Sequence, residues 1–292
     1  MSLLRMGEGA RGLGFALTAL LLLAAACGDG GSGETGGGGN GSGAGTPSGS
    51  GAGNPGAGGA GGEVVFTTSS GAGGSGQGGA GGGDGCNPTL TATVRDFKIE
   101  HPDFEDENGT DKGIVTPELG MDGKPVYAGN PTTPTTHGKE YFDQWFRDVD
   151  GVNMALPVTI ALKPVGNGMY TYDNSSFFPI DDKGFGNEGN SHNYHFTLEL
   201  RTQFTYEGGE VFTFTGDDDL FTYINGKLVI DLGGVHGAQT ATVDLDAKAA
   251  ELGLVKGKKY PLDFFFAERH TTQSNFRIDT TIGCFTPPPD PK

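Results

Sequence analysis

Positive charge is the first scarcity: 19 Lys and Arg stand against 36 Asp and Glu in 292 residues, a formal net charge of −17. Affinity for polyphosphates comes from Lys and Arg, so a surface of this sign repels nucleic acid and anionic lipid and suits divalent cations and neutral ligands. Cysteine is also sparse, three in all, without the paired spacing of a zinc site. The longest apolar run, residues 13–26, falls short of the ~20 residues that cross a bilayer as a helix. No phosphate loop, dinucleotide fingerprint or Ser-His-Asp elbow occurs.

Glycine, by contrast, is abundant and unevenly placed. Of the 55 Gly, 29 fall in the 58 positions from 28 to 85, a stretch with four acids and no Lys or Arg. So little apolar surface cannot offset the ~1 to 2 kcal/mol of backbone entropy lost per ordered residue, and a disordered linker is expected. A flexible coil of that length has an end-to-end distance of about 42 Å. Before it, Arg5 and Arg11 precede the apolar run, which reads as an export signal. The sequence Leu23-Ala24-Ala25-Ala26-Cys27 resembles a bacterial lipobox, implying lipidation of Cys27, an outer-membrane lipoprotein displayed at the cell surface, and membrane contact only through the lipid. Cys86 and Cys284 then remain to form one disulfide, closing a loop of about 200 residues for up to ~5 kcal/mol in the chain-entropy account. The expected organisation is a signal peptide over 1–26, a linker over 27–85, one domain over 86–284 and a Pro-rich tail over 285–292.

Within that domain, strand signals dominate. The runs Leu90–Ile99, Pro157–Lys163, Tyr194–Phe204, Glu210–Thr215, Leu220–Ile224, Lys227–Leu232, Thr240–Leu245, Tyr260–Ala267 and Phe276–Ile282 are rich in Val, Ile, Thr, Phe and Tyr. Asn225-Gly226 predicts a type I′ hairpin, since both central positions need positive φ. Phe142, Trp145, Phe146 and Val149 form one stripe of a short helix over Glu140–Asp150, and Asp246–Leu252 predicts a second, with Asp246 as N-cap and Gly253 closing it. The loops Pro102–Gly138 and Asp173–Ser191 are long enough to suggest a function of their own. The fold class is mainly β: an antiparallel sandwich or barrel with long insertions and one or two short helices.

Asp217-Asp218-Asp219, between two apolar strands, is the densest chemical signal. Three adjacent carboxylates repel unless a cation or several donors meet them, and Ca²⁺ takes six to eight oxygens; a solvated acidic turn is the plain alternative. The order GDDD, an apolar strand, ING, KLVID and LVKGKKYPLDFFFAER resembles the protective-antigen-type carbohydrate-binding β-barrel. More narrowly, HPDFE at 101–105, FDQWFRDVDGVN at 142–153, FFPIDDKGFGN at 177–187, DLGGVH at 231–236 and FFFAERHTTQSNFRID at 264–279 resemble the bacterial fibro-slime family. What the resemblance implies is a Ca²⁺ site in which Asp217 and Asp218, joined by a cis peptide, share the ion with an Asn from a distal loop, while sugar hydroxyls replace water. Asn275 is the candidate for that Asn, with Gln273 as rival. Asp219 stands where the family usually has Gly, which matters if that position needs positive φ.

Other residues read as structural. Asp181, Asp182, Asn187, Glu188 and Asn190 lack the spacing of a calcium hand. His192 and His195 fall on opposite faces of an approaching strand, against a zinc pair. Glu268-Arg269-His270 reads as a salt bridge at a strand end, and Trp145 as core. The expected function is non-catalytic: a surface or matrix adhesion module binding a glycan or polysaccharide through Ca²⁺. A structural or protein-binding domain that has lost the sugar is the alternative. Release of the ion near pH 4 is the expected acid response.

Overall fold

A computed structural model describes residues 88–105 and 108–288. The export segment, Cys27, the glycine-rich stretch and Cys86 lie outside the described residues. Cys284 is held in a disulfide. Among the described residues no helix is long and apolar enough to cross a membrane.

In chain order the elements are β1 (Thr89–Phe97), β2 (Gly109–Thr110), α1 (Lys139–Phe142), β3 (Asn153–Ala161), β4 (Lys163–Gly166), β5 (Met169–Asn174), β6 (Phe196–Tyr206) and β7 (Val211–Gly216). There follow β8 (Asp219–Ile224), β9 (Lys227–Leu232), β10 (Gly234–Val235), β11 (Gln239–Asp244), α2 (Leu245–Leu252), β12 (Lys258–Glu268), β13 (Phe276–Thr280) and β14 (Phe285–Thr286). One sheet runs β3-β1-β6-β12-β8-β9 with β14 also on β6, and the other runs β11-β7-β13-β5-β4. β2 and β10 form a separate small ladder.

The fold class is as the sequence predicts, mainly antiparallel β with two short helices. Apolar residues from both sheets interleave in the main core: Leu198 and Leu200 of β6 and Phe264 and Phe266 of β12 share it with Phe212 and Phe214 of β7. Phe264 sits 5.4 Å from Phe214, ring to ring, in an edge-on contact. A second core lies on the outer face of the larger sheet. Phe221, Tyr223, Phe265 and Ala267 pack there under Ile114, Val115, Tyr127, Phe142, Trp145 and Phe146. β8 and the Leu262–Glu268 part of β12 are therefore buried on both faces, which is why Phe264-Phe265-Phe266-Ala267 reads as a continuous apolar run rather than an alternating one.

Several boundaries differ from the sequence reading. The stripe over 140–150 makes only a four-residue helix, α1. Turn bonds such as Trp145 N–H to the Phe142 carbonyl (3.0 Å) replace its continuation, and the Thr197 hydroxyl takes the Trp145 carbonyl a longer helix would need. α2 begins one residue earlier than expected and is capped by Asp244, whose side chain accepts from Ala247 N–H; Gly253, left-handed at φ 69°, closes it as predicted. Phe285 and Thr286, assigned to the tail, pair with Phe204 and Gln203 of β6, so the folded unit extends past Cys284. The β4–β5 hairpin was not foreseen.

Candidate functional site

Asp217 and Asp218 are the whole of the connection between two sheets. β7 ends at Gly216 in the five-stranded sheet, and β8 starts at Asp219 in the seven-stranded one. Gly216 is needed at that crossing because a Cβ there would lie 2.3 Å from the Asn275 carbonyl. The Asp217 N–H then donates to that same carbonyl, and the Asp218 N–H donates to the Ala267 carbonyl at the end of β12. The peptide joining the two aspartates is cis, as is Thr271–Thr272 in the loop opposite.

None of the three aspartates is a solvated turn residue; their exposures are 3%, 5% and 0%. Asp217 Oδ1 accepts from the Asn275 backbone N–H (2.5 Å) and Oδ2 from the Asn275 side-chain amide (2.8 Å). Asp218 Oδ1 accepts from His236 N–H (2.9 Å), and Oδ2 from Arg269 N–H (3.0 Å). Asp219 differs: its oxygens meet Gly234 N–H (2.6 Å) and the Arg269 guanidinium (2.6 Å). Asp219 is the first residue of β8 and is absent from the positive-φ positions, so the usual family Gly is not required there and the carboxylate is free to serve as a buried counter-ion.

Arg269 is committed on all sides. Besides Asp219 it donates to the carbonyls of Asp103 (3.0 Å) and Thr135 (2.8 Å) and to the Thr135 hydroxyl (3.2 Å), and it lies 4.7 Å from the centre of the Trp145 ring. The Trp145 indole N–H donates to Asp103 (2.9 Å). The strand-end salt bridge expected at 268–270 thus exists, with Asp219 as partner rather than Glu268, and Trp145 is core.

Negative charge remains over. Burial, above all, pushes Asp218 up to about 8, and the neighbouring Asp219 charge adds to it against the opposing pull of Arg269. Glu268 is wholly buried and raised well above the carboxylate range, first by burial and then by the charge of Asp218. Neither Glu268 oxygen makes a hydrogen bond of good geometry, and neither does the adjacent Ser274 hydroxyl, although it lies near enough to favour the charged form. Asp217, Asp218 and Glu268 form an acid surplus beside Arg269, which Asp219 already engages.

A shallow cleft of about 150 Å³ opens beside the pair. It is lined by both aspartates, Asn108, His236, Thr272 and Gln273, among others. Each carboxylate oxygen that accepts one N–H keeps a second lone pair. The donor set is oxygen-rich and without sulfur, which fits a hard cation. Among the described residues no three His, Cys, Asp or Glu side chains are grouped to hold a metal, so such an ion would rest on two carboxylates and neutral oxygens. Gln273 lines the cleft; Asn275 contacts Asp217 as a donor and would offer an ion the other end of its amide. Asn108 was not singled out from the sequence, where nothing distinguishes it from the other Asn residues of its loop. The 181–193 loop is internally satisfied: His192 and Asn193 N–H bond Asp181, and Asp182 N–H bonds Asn187. His195 bonds Glu105 and Glu188.

Residues 172–285 match the PA14 domain family model. Protein psiD of Dictyostelium discoideum is 43% identical over 210 residues, 66% of this chain and 41% of that protein. Protein psiI of the same organism is 47% identical over 185 residues, 60% of this chain and 23% of that protein. The chain thus spans less than half the length of these relatives. Among solved structures, the PA14 domain of the MpAFP antifreeze protein covers 74% of this chain and 99% of itself at 9% identity and a TM-score of 0.34. The epithelial adhesin 9 A domain of Candida glabrata, in complex with Galb1-3GlcNAc, covers 72% and 89% at 14% identity and a TM-score of 0.31. The segment that matches the PA14 family model carries Asp217, Asp218, Gln273 and Asn275.

Proposed function

We propose that this chain is a non-catalytic carbohydrate-binding adhesion module of the fibro-slime type, exported and anchored by lipid at Cys27 in the outer membrane, with Cys86 and Cys284 joined as a disulfide. Its ligand is a glycan or polysaccharide of a matrix or neighbouring cell, taken up at the Asp217–Asp218 cleft with Ca²⁺. The observation that carries this reading is the acid surplus: two buried aspartates line an open cleft, backed by a buried glutamate, while the Arg269 guanidinium beside them is already bonded to Asp219. The PA14 relationship of the same segment supports it.

When bound, the calcium ion would supply a hard, doubly charged centre on which neighbouring sugar hydroxyls take the place of water. The chain's own residues do the rest. Asn275 fixes the Asp217 carboxylate through both oxygens, and the His236 and Arg269 backbone N–H groups fix Asp218, so the pair is oriented before anything arrives. Gln273, Thr272 and Asn108 supply neutral polar groups at the rim.

Glycan-array binding of the full chain in calcium and again in chelator tests the reading. Saccharide binding present in calcium and lost in chelator is expected. Binding to no saccharide in either buffer, together with recovery of one protein partner, would move the domain to the class of protein-binding surface modules.

A further inference from the structure

The Asp217–Asp218 cleft does not stop at its rim. Thr272 and Gln273 are shared with a second cleft, of about 330 Å³, whose opposite wall is built by the 173–191 loop and the residues entering β6. Its lining is mostly polar, and its aromatic part includes the half-buried Phe178 ring. Phe178 stacks on His192 with 3.9 Å between centroids and planes 6° apart, and Tyr194 braces it edge-on at 5.0 Å. The platform is held in place: His192 Nδ1 lies 2.6 Å from Asp181, and the Tyr194 hydroxyl 3.1 Å from Ser191 Oγ. Around the ring the lining is hydroxyls and amides, from Ser175, Ser176, Gln273 and Asn275.

A fixed aromatic face bordered by small hydrogen-bonding groups has the chemistry of a pyranose site. The C–H face of the sugar covers the ring while hydroxyls at its edge meet the polar border. Acidic residues outnumber basic ones by 36 to 19 in the whole sequence, which disfavours an anionic sugar. We infer that this cleft is a second saccharide subsite, so that the module reads at least two neutral sugar rings, one at Asp217 and Asp218 and the next over Phe178. The inference rests on the carbohydrate-binding reading above, and it gives the long 173–191 loop a role.

The test measures, on the full chain in calcium, dissociation constants for glucose, galactose and mannose and for neutral disaccharides built from each. At least one disaccharide is expected to bind about tenfold more tightly than its monosaccharide. Phe178→Ala should erase that gain while leaving the monosaccharide constant within about twofold. Because Phe178 also packs on its neighbours, Ser176→Glu, which adds bulk without an aromatic face at an exposed position lining the cleft, serves as a second variant with the same expected result. A gain that is absent in the wild type, or that survives both variants while monosaccharides bind, overturns the subsite and leaves the first reading standing. Failure of the wild type to bind any saccharide overturns both.

Discussion

Asp218 and Asp219 are neighbours in the chain and equally shut off from water, yet they meet opposite surroundings. Asp219 faces a guanidinium that is itself bonded to two carbonyls and a hydroxyl. Asp218 faces two backbone N–H groups, an open cleft and the unpaired Glu268. Ionising a buried carboxylate without a partner costs several kcal/mol, so Asp218 keeps its proton in the ion-free fold while Asp219 is settled by a guanidinium. The Asp219–Arg269 pair clamps β8, β12 and the 103–135 insertion together, and on the proposed reading the Asp217–Asp218 pair is held for a cation that arrives from outside.

The strongest way to break this contrast is to remove the clamp. Arg269→Ala strands Asp219 in the core and is expected to cost about 3 to 5 kcal/mol, measured by urea denaturation; a loss under about 1 kcal/mol would show that the two aspartates are not differently used. On the other side of the contrast, Asp218→Asn removes a carboxylate that the ion-free fold holds protonated. Its thermal midpoint without added metal should equal or exceed the wild type at about pH 8 to 9, while the calcium-induced rise disappears. A midpoint that falls in metal-free buffer would mean that Asp218 is a structural anchor.

The pH response sharpens the same division. A carboxylate whose folded pKa is raised to about 8 contributes most to ion-free stability below its ordinary pKa, and that contribution is lost as pH rises through about 8. On the proposed reading calcium displaces this proton. The calcium-induced rise in thermal midpoint should therefore be largest above about pH 8 and fade toward about pH 6, well above the pH 4 expected from an ordinary aspartate. Scans with and without calcium across that range check this; a rise that is flat down to about pH 5 contradicts it. The smallest effect belongs to charges with no such burden. Arg277, exposed between Asp173 and Asp279, should lose less than about 1 kcal/mol on change to Ala, read from the same urea curves.

Much of this was legible in the residues. Each of the nine apolar runs overlaps a strand, Asn225-Gly226 makes the expected turn at φ 51° and 74°, and Asp217 and Asp218 were marked by three like charges in a row. What escaped was non-local. The β4–β5 hairpin carries its own signal, Asn167-Gly168 at φ 53° and 73°, masked by a short flanking strand that contains Pro164. The helix over 140–150 was over-read because the stripe of Phe142, Trp145 and Phe146 is real, but Asp103 and Thr197, 42 and 52 residues from Trp145, claim its polar groups. No local pattern announces that Asp219 would find Arg269 fifty residues away, or that Phe178 would stack on His192.

The central claim is that the Asp217–Asp218 pair holds one calcium ion. Isothermal titration of the full chain with calcium tests it most directly, alongside Asp217→Asn and Asp218→Asn variants whose metal-free unfolding midpoints match the wild type. One ion per chain in the wild type and none in either variant is the result predicted here. Equal calcium heats in all three proteins, or none in the wild type, would contradict it.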